Sequence, residues 1–510
     1  MSVSVPVAGD RVPNHGLITI TVMLASILQA LDNTIANVAL PHMQGSLSAT
    51  QDQMTWVLTS YIVAAAIMTP LTGWLSGQFG RKRLFLFSII GFTISSALCG
   101  MAQSLPEIVL FRLMQGLCGA ALVPMSQAVL FDINPPEHHG RAMSVWGFGV
   151  VLGPTLGPMI GGWLTDNYSW RWVFYINVPF GILAVLGILA YLPETKITRR
   201  RFDMFGFALL SLAIGALQIM LDRGPLKDWF NSREIWTELI VASLAFYLFA
   251  VHSATSEHPF IRPELFKDRN FLAGTVLIFM VGIVLFATLA LLPTMLQNLM
   301  GYTALQSGYL TAPRGVGTLI AMQVVGRLIG RIDSRRIIAF GFILMAISLW
   351  QMTQFSLLMD GWPVIWSGVV QGFGTGIAYV PMATMAFATL NPTLRDEGAA
   401  MFNLMRNIGS SIGISMVQAL LISNTQTVHS SLSEHISPYN LAAHSPQLAA
   451  QLATHAGTVA LNAEVTGQAA MIAYIDDFHL MLILTVLSVP LLFFVRKALP
   501  SKGSPQIAIE

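Results

Sequence analysis

Charge is scarce in this chain. Asp, Glu, Lys and Arg make up 10% of its 510 residues, where a soluble globular protein carries about 25%. So thin a supply cannot coat a water-soluble body of this size. With a mean hydropathy of +0.65, the chain reads as an integral membrane protein. The net charge of +2 leaves no basic excess to hold nucleic acid. Cysteine is nearly absent: Cys99 and Cys118 lie in apolar runs, without metal spacing or a partner pattern, and read as small packing residues. Enzyme signatures are missing too, with no GxxxxGK[ST] loop, no HExxH and no credible GxSxG. His138 and His139 stand together in a loop without further ligands. Neither metal nor cofactor is expected, and with no nucleotide site ATP cannot be this chain's energy source. The first apolar run is too long for a cleaved signal peptide, carries Asp32, and lacks a small-x-small site.

What is abundant is long apolar runs. A helix needs about 20 mostly apolar residues to cross a bilayer, and fourteen runs qualify. The first six lie near 15–40, 52–75, 83–103, 107–130, 143–164 and 171–192. Two more lie at 204–222 and 236–254, and the last six at 271–293, 305–328, 336–356, 362–388, 398–424 and 473–495. Lys and Arg collect on the cytoplasmic side of membrane proteins. With the N-terminus inside, the cytoplasmic segments carry twenty of the 27 basic residues. The external ones carry Arg171, Arg223, Lys227 and Arg233, and Arg112, Arg314 and Arg406 fall within spans. Both termini are therefore expected inside.

The runs repeat. GWLSGQFGRKR (73–83) and GRLIGRIDSRR (326–336) share two glycines four apart and a closing basic pair. QGLCGAALVPM (115–125) matches QGFGTGIAYVPM (371–382), and LGPTLG (152–157) matches IGSSIG (408–413). Repeated halves are a mark of transporters. The division expected is a six-helix bundle over 1–192, two inserted transmembrane helices with linkers over 193–270, a second six-helix bundle over 271–497, and a cytoplasmic tail at 498–510.

Two six-helix halves with GxxxGxxGRKR between spans 2 and 3 resemble the major facilitator superfamily. LDNTIANVALP in span 1 and WRWVFYINVPFG (170–181) look like its fourteen-span drug:proton antiporter branch, the EmrB/QacA type, and LQIMLDRG (217–224) with DWF (228–230) especially resembles EmrB-like multidrug exporters. The resemblance implies an all-α integral membrane protein of the major facilitator fold, with two extra central helices. It also implies a bacterial inner membrane location, lipophilic small-molecule substrates, and a periplasmic adaptor with an outer-membrane channel as partners.

Asp32 stands out as the one acid of 25 deep inside a span. A charge there costs at least about 2.5–3.5 kcal/mol on insertion scales, so such residues usually serve a pathway. Loss of water favours a carboxyl's neutral form, and an acid poised between two forms can carry a proton. The resemblance implies that same role for Asp32; hydrogen bonding for packing alone is the alternative. Arg112, in FRLMQGLCGAALVP, looks like the superfamily's RxxxG-type motif and is expected to modulate Asp32, directly or through water. Gly368 occupies the equivalent place in the second half.

GVVLGPTLGPMIGGWL (149–164) resembles the antiporter signature. Gly149, Gly153, Gly157 and Gly161 recur every four residues on one helix face, and Pro154 and Pro158 favour a bend. A tight, bendable seam between the bundles is expected there, with ordinary GxxxG packing as the alternative. Gly73, Gly80, Arg81, Lys82 and Arg83 look like the superfamily's gating loop, or serve as a positive-inside anchor. Gly77 stands where that motif carries an acid, and Asp333 lies three positions later in the second copy. Gln29, Asn33, Asn37, Trp146, Phe148 and Arg406 are candidate cavity residues, although Arg406 can equally play a structural part. Residues 425–472 form a long external loop without Lys or Arg, either a tolerated insertion or a docking surface for an extracytoplasmic partner. Its SPQLAAQLATHAGTVALNAEV could lie as a helix outside the membrane.

The function these features support is proton-coupled multidrug efflux by alternating access. The alternatives are a proton-coupled transporter of one specific metabolite and a non-transporting membrane sensor or scaffold.

Overall fold

A computed structural model describes residues 15–135, 138–195, 197, 201–329, 331–434 and 454–494. Nearly all of them are helical, as a bilayer demands of a chain that must satisfy its own backbone. The first bundle contains α1 (His15–Ser46), α2 (Gln51–Met68), α3 (Leu71–Phe79), α4 (Arg81–Met101), α5 (Leu105–Gly119), α6 (Leu122–Ile133), α7 (His139–Asn167), α8 (Trp172–Tyr175) and α9 (Asn177–Tyr191). The inserted pair is α10 (Met204–Arg223) and α11 (Arg233–Thr255). After the short α12 (Glu264–Lys267) come α13 (Arg269–Thr294), α14 (Ala304–Thr311), α15 (Pro313–Leu328), α16 (Ser334–Met352), α17 (Trp362–Ala388), α18 (Arg395–Glu434) and α19 (His455–Ser488).

Local chemistry sets the ends. Thr50 and Gln53 form a capping box at the start of α2, and Thr303 and Gln306 repeat it at α14. The Asp268 carboxylate accepts from the first backbone N–H groups of α13. Pro70 lacks an N–H to donate, and α2 and α3 meet there at 58°. α7 bends by 40° between Gly157 and Met159.

Each of the fourteen apolar runs coincides with one helix or a broken pair. Among the described residues, 10 helices are long and apolar enough to cross a membrane unaided, and the two bent pairs raise that to 12. The remaining two runs, 305–328 and 362–388, pack against each other within the second bundle. The two halves pack alike: α1 lies on α7 as α13 lies on α18, and α4 on α9 as α16 on α19.

The glycine stripe of α7 corrects one expectation. It faces α1 of its own bundle rather than the seam between bundles. A Cβ on Gly153 would stand 2.8 Å from the Ala30 Cβ and 2.9 Å from the Leu31 nitrogen, and Gly149, Gly157 and Gly161 likewise meet Met23, Thr34 and Ile35. Gly409 and Gly413 repeat this against Phe279 and Ile283 of α13. At 100° per residue, the neighbouring face of α7 carries the seam. There Gly140 meets Ile329, Ser144 meets Gly326, Gly147 meets Met322 and Thr155 meets Gly315, so α7 and α15 run antiparallel in close contact. Pro154 is exposed, and the Pro158 side chain lies outside the described residues.

α10 bridges the halves elsewhere. Its Asp222 accepts a hydrogen bond from Thr59 of α2. Gln218 donates to Ser411 at 2.8 Å, and the Ser415 hydroxyl donates to the Leu221 carbonyl at 2.5 Å, both on α18.

The long loop is also corrected. Residues 425–434 continue α18, and α19 begins at His455 rather than 473. A two-helix projection therefore replaces much of the loop, tied by His429 and Asn462 at 3.0 Å; residues 435–453 lie outside the described ones. Continuous helix puts Asp477 in the interior of α19, so Asp32 is not the only deeply buried acid: both are 1% exposed.

The Gly153 contact can be tested by crowding it. Gly153→Val should destabilise the protein by about 1–3 kcal/mol, because backbone rather than a flexible tip opposes the new methyls. Gly308, with nothing within 4 Å of its added Cβ, should accept alanine unchanged. Thermal unfolding in detergent, followed by size-exclusion fluorescence, compares the two.

Candidate functional site

Three helices aim polar side chains at one point in the first bundle. Asp32 comes from the middle of α1, Arg112 and Gln115 from one face of α5, and Asn177 from the first turn of α9. Arg112 Nη1 donates to Asp32 Oδ2 at 2.6 Å. Gln115 Nε2 and Asn177 Nδ2 donate to Asp32 Oδ1 at 2.9 and 2.8 Å. The expected Arg112–Asp32 relation is thus a direct ion pair, and every named member is buried.

The guanidinium is held from its other sides as well. Its Nη1 donates to Gln115 Oε1 at 2.8 Å and its Nε to the Val57 carbonyl at 3.1 Å, while the Tyr61 ring lies 4.2 Å away, face-on. Asn177 is steadied by a 3.0 Å bond to Ser96. A buried pair is tolerable only when its spare lone pairs and protons are used; here the carboxylate accepts three donors. Gln115, Asn177, Tyr61 and the Val57 carbonyl were not singled out from the sequence. Gln115 lies three residues after Arg112 and so shares its face, and Asn177 is the polar residue of the quoted FYINVPF.

The candidate cavity residues divide. Gln29 and Asn33 lie one turn apart beside the Tyr61 phenol, and Asn37 donates to the Asn33 carbonyl at 3.1 Å. Asn33 and Asn37 are exposed. Trp146 corrects its assignment: it is 1% exposed and donates to Ser26 at 3.0 Å, so it packs the bundle core because its ring fills the α1–α7 contact. Phe148 is half-buried. Arg406 is half-buried on α18 and bonds Asn407 at 3.4 Å, while the Arg406 carbonyl meets Gly282 of α13.

A second polar cluster ties the halves at the end rich in basic residues. Arg81 pairs with Asp396 of α18 at 2.9 Å and with Asp132 at the end of α6. Arg395 returns from α18 to Asp132 at 2.8 Å, and Ser76 donates to Asp396 at 2.7 Å. The acid missing at Gly77 is thus supplied by α6 and by the other bundle. Gly73 lets α18 approach, since a Cβ there would be 2.8 Å from Glu397, which itself holds Arg262 at 3.1 Å. Gly80 takes φ +82°, a conformation glycine allows freely, between α3 and α4. Lys82 donates to the Leu189 carbonyl at 3.0 Å, and Arg83 is exposed. Deeper, buried Asn403 donates to Gln127 at 2.6 Å, and Gln127 to Tyr379 at 3.1 Å, again across the seam. His139 is buried against the Phe131 and Asn134 carbonyls, each at 2.9 Å, where it caps α6.

Comparison with known proteins identifies this scaffold. Residues 22–414 match the Major Facilitator Superfamily. The multidrug export protein EmrB of Escherichia coli K12 is 39% identical over 427 residues, 83% of each chain. The fatty acid resistance protein FarB of Neisseria gonorrhoeae is 35% identical over 491 residues, 95% of this chain and 97% of that one. Among solved structures, the proton:xylose symporter XylE superposes with a TM-score of 0.58 at 14% identity, covering 90% of this chain and 94% of its own. The chain belongs to the major facilitator superfamily, and it is a multi-pass membrane transporter rather than an enzyme.

Loosening the tie at the basic end should open it. With spin labels at the exposed positions 83 and 331, Asp396→Asn should add a longer-distance population absent from the parent, read by pulsed dipolar spectroscopy.

Proposed function

We propose that this member of the superfamily is a proton-coupled multidrug efflux antiporter of the bacterial inner membrane, with Asp32 as the proton carrier. One observation carries the reading: the buried Asp32–Arg112 pair, satisfied on every side by Gln115, Asn177 and the Val57 carbonyl. The EmrB name speaks for export of drugs and the FarB name for resistance to fatty acids, a lipophilic class. A single membrane carboxylate in the first bundle suits neutral, weakly acidic or monocationic compounds better than bulky dications.

The basic end is taken as cytoplasmic, so that the ties between Arg81, Asp132, Asp396 and Arg395 close the inward path and the described state faces outward. A hydrogen ion entering from outside adds to an Asp32 oxygen. The carboxyl becomes neutral, and Arg112 keeps its charge but loses its counter-ion. Removing one member of a buried pair costs about 3–5 kcal/mol. A protonmotive force supplies about 2.3 kcal/mol per charge for each 100 mV, so the imbalance is large enough to shift a two-state equilibrium. The bundles then rock, the basic end opens, substrate enters from the inner side, and the proton leaves Asp32 to the cytoplasm. The pair reforms, and the outward state returns with substrate to be released.

The projection built from the ends of α18 and α19 is the candidate contact for a periplasmic adaptor leading to an outer-membrane channel. Its reach is about 1.5 Å per helical residue, enough to stand clear of lipid headgroups.

Asp32→Asn should abolish efflux driven by an imposed pH gradient in proteoliposomes while the protein still elutes as a folded peak. Persisting gradient-driven efflux would refute the carrier role. Shortening the projection within 425–472 should spare vesicle transport but remove drug resistance in whole cells, measured as growth against the parent. Inhibition between chemically unrelated dyes separates multidrug export from transport of one metabolite.

A further inference from the structure

The second bundle holds a carboxyl that the cycle above leaves unused. Asp477 is 1% exposed on α19, and neither of its oxygens has a hydrogen-bond partner among the described residues. Its helix neighbours Tyr474 and Phe478 belong to a buried apolar cluster with Leu291, Met352, Phe355 and Met481. The elements packed on α19 bring no counter-charge to it. α13 carries only Arg269, at its opposite end, and α16 only Arg335 and Arg336, likewise at the basic end. Between its terminal charges α18 carries Arg406, which bonds Asn407, and His429, which bonds Asn462 about four turns from Asp477. The nearest titratable groups are Tyr474 and Asp476 of its own helix, and Asp476 is exposed.

The position is not arbitrary in the repeat. At an offset of 300 residues, the burial pattern around Asp477 matches that around Asn177, the donor to Asp32. α9 packs on α1 and α4, and α19 packs on their counterparts α13 and α16. The other ingredients recur unassembled. Gln371, the counterpart of Gln115, donates to Thr288 at 3.1 Å, and its buried Oε1 has no partner among the described residues. Arg314 is buried on α15 beside Gly368, with a bond to the Leu285 carbonyl at 3.3 Å and its Nη1 without a partner among the described residues. The first bundle thus joins carboxylate, amide and guanidinium, while the second holds all three types apart.

We propose that Asp477 is a second proton site of the transporter, occupied by a hydrogen ion in the conformation whose basic end is closed. A carboxylate without donor, cation or water-facing atom is far more costly to bury than a carboxylic acid, and no neighbour supplies the balancing charge. The proton is lost when rearrangement of the second bundle brings Asp477 to water or to a donor. Each bundle then contributes one exchangeable proton, and the two acids differ in state: Asp32 is ion-paired where Asp477 is neutral. This inference rests on the antiporter reading for its coupling, though occupancy of Asp477 stands on its own.

The test uses the full chain in proteoliposomes with a neutral lipophilic dye. The logarithm of the limiting dye gradient is measured against imposed pH differences, its slope being the number of protons exchanged per dye. Asp477→Asn should lower that slope by one, whereas Asp477→Glu should keep it. An unchanged slope in Asp477→Asn overturns the proposal. Infrared spectroscopy of the detergent-purified protein at neutral pH gives an independent readout. A protonated-carboxyl carbonyl band should be present and should move on Asp477→Glu, and absence of such a band overturns the proposal even where Asp477→Asn fails to fold. Loss of coupling on Asp32→Asn is scored separately, so failure of the antiporter reading and failure of this one give different results.

Discussion

A bilayer rejects charge, and the first bundle is organised around a charge pair held where rejection is strongest. Asp32 and Arg112 survive there because α1, α2, α5 and α9 each give something to them: a carboxylate, a backbone carbonyl with a ring, a guanidinium with an amide, and a second amide. Such an arrangement contributes little net stability compared with well-packed apolar side chains. On the antiporter proposal, it makes the bundle's energy depend instead on a single hydrogen ion. The glycine stripe of α7 belongs to the same design. By pulling α7 tight against α1 at Gly153 and Gly157, it fixes the helix that carries Asp32 and leaves little local slack around the pair.

The remaining mobility must then lie between bodies. The α7–α15 seam is lined by small residues and Met322, with few polar bonds across it, whereas the basic end is sewn by Arg81, Asp132, Asp396 and Arg395. Ion pairs that are partly exposed are individually weak, and that weakness suits a latch that must open in each cycle. α10 adds a third connection through Gln218 and Leu221 to α18. An inserted helix bonded to both halves constrains how they can turn, and favours rocking about its own contact line over wholesale separation.

Much of this architecture was legible because the signals are compositional or periodic. The apolar runs, the three repeated motifs and Asp32 in ILQALDNTIANVALP each carry a physical demand that the fold answers directly. What could not be read is pairing between distant segments. Nothing local says that Asp396 will complete a loop more than three hundred residues earlier, or that Trp146 turns inward to Ser26 rather than toward a cavity. The four-residue glycine spacing named a close approach correctly but not its partner, because a helix has several faces and spacing alone does not say which neighbour each one meets. Asp477 was missed for a different reason: hydropathy placed the start of the last span near 473, and an acid close to a span end looks solvated. The uninterrupted α19 from His455 moves it into the interior.

The two bundles share a scaffold but not a charge plan, and that difference matters for a machine with two states. In the repeat, Arg314 stands where Tyr61 stands in the first half, and Gly368 stands where Arg112 stands. The guanidinium has therefore moved to the facing helix, and it lies against the glycine that took its place. Had both halves carried the same satisfied pair, one conformation would be stabilised twice and the other not at all. A satisfied pair in one half is instead set against groups of the same chemistry in the other whose polar atoms are only partly partnered among the described residues. Alternation then requires no large stabilisation of either state, only a small energy difference that a proton or a substrate can reverse.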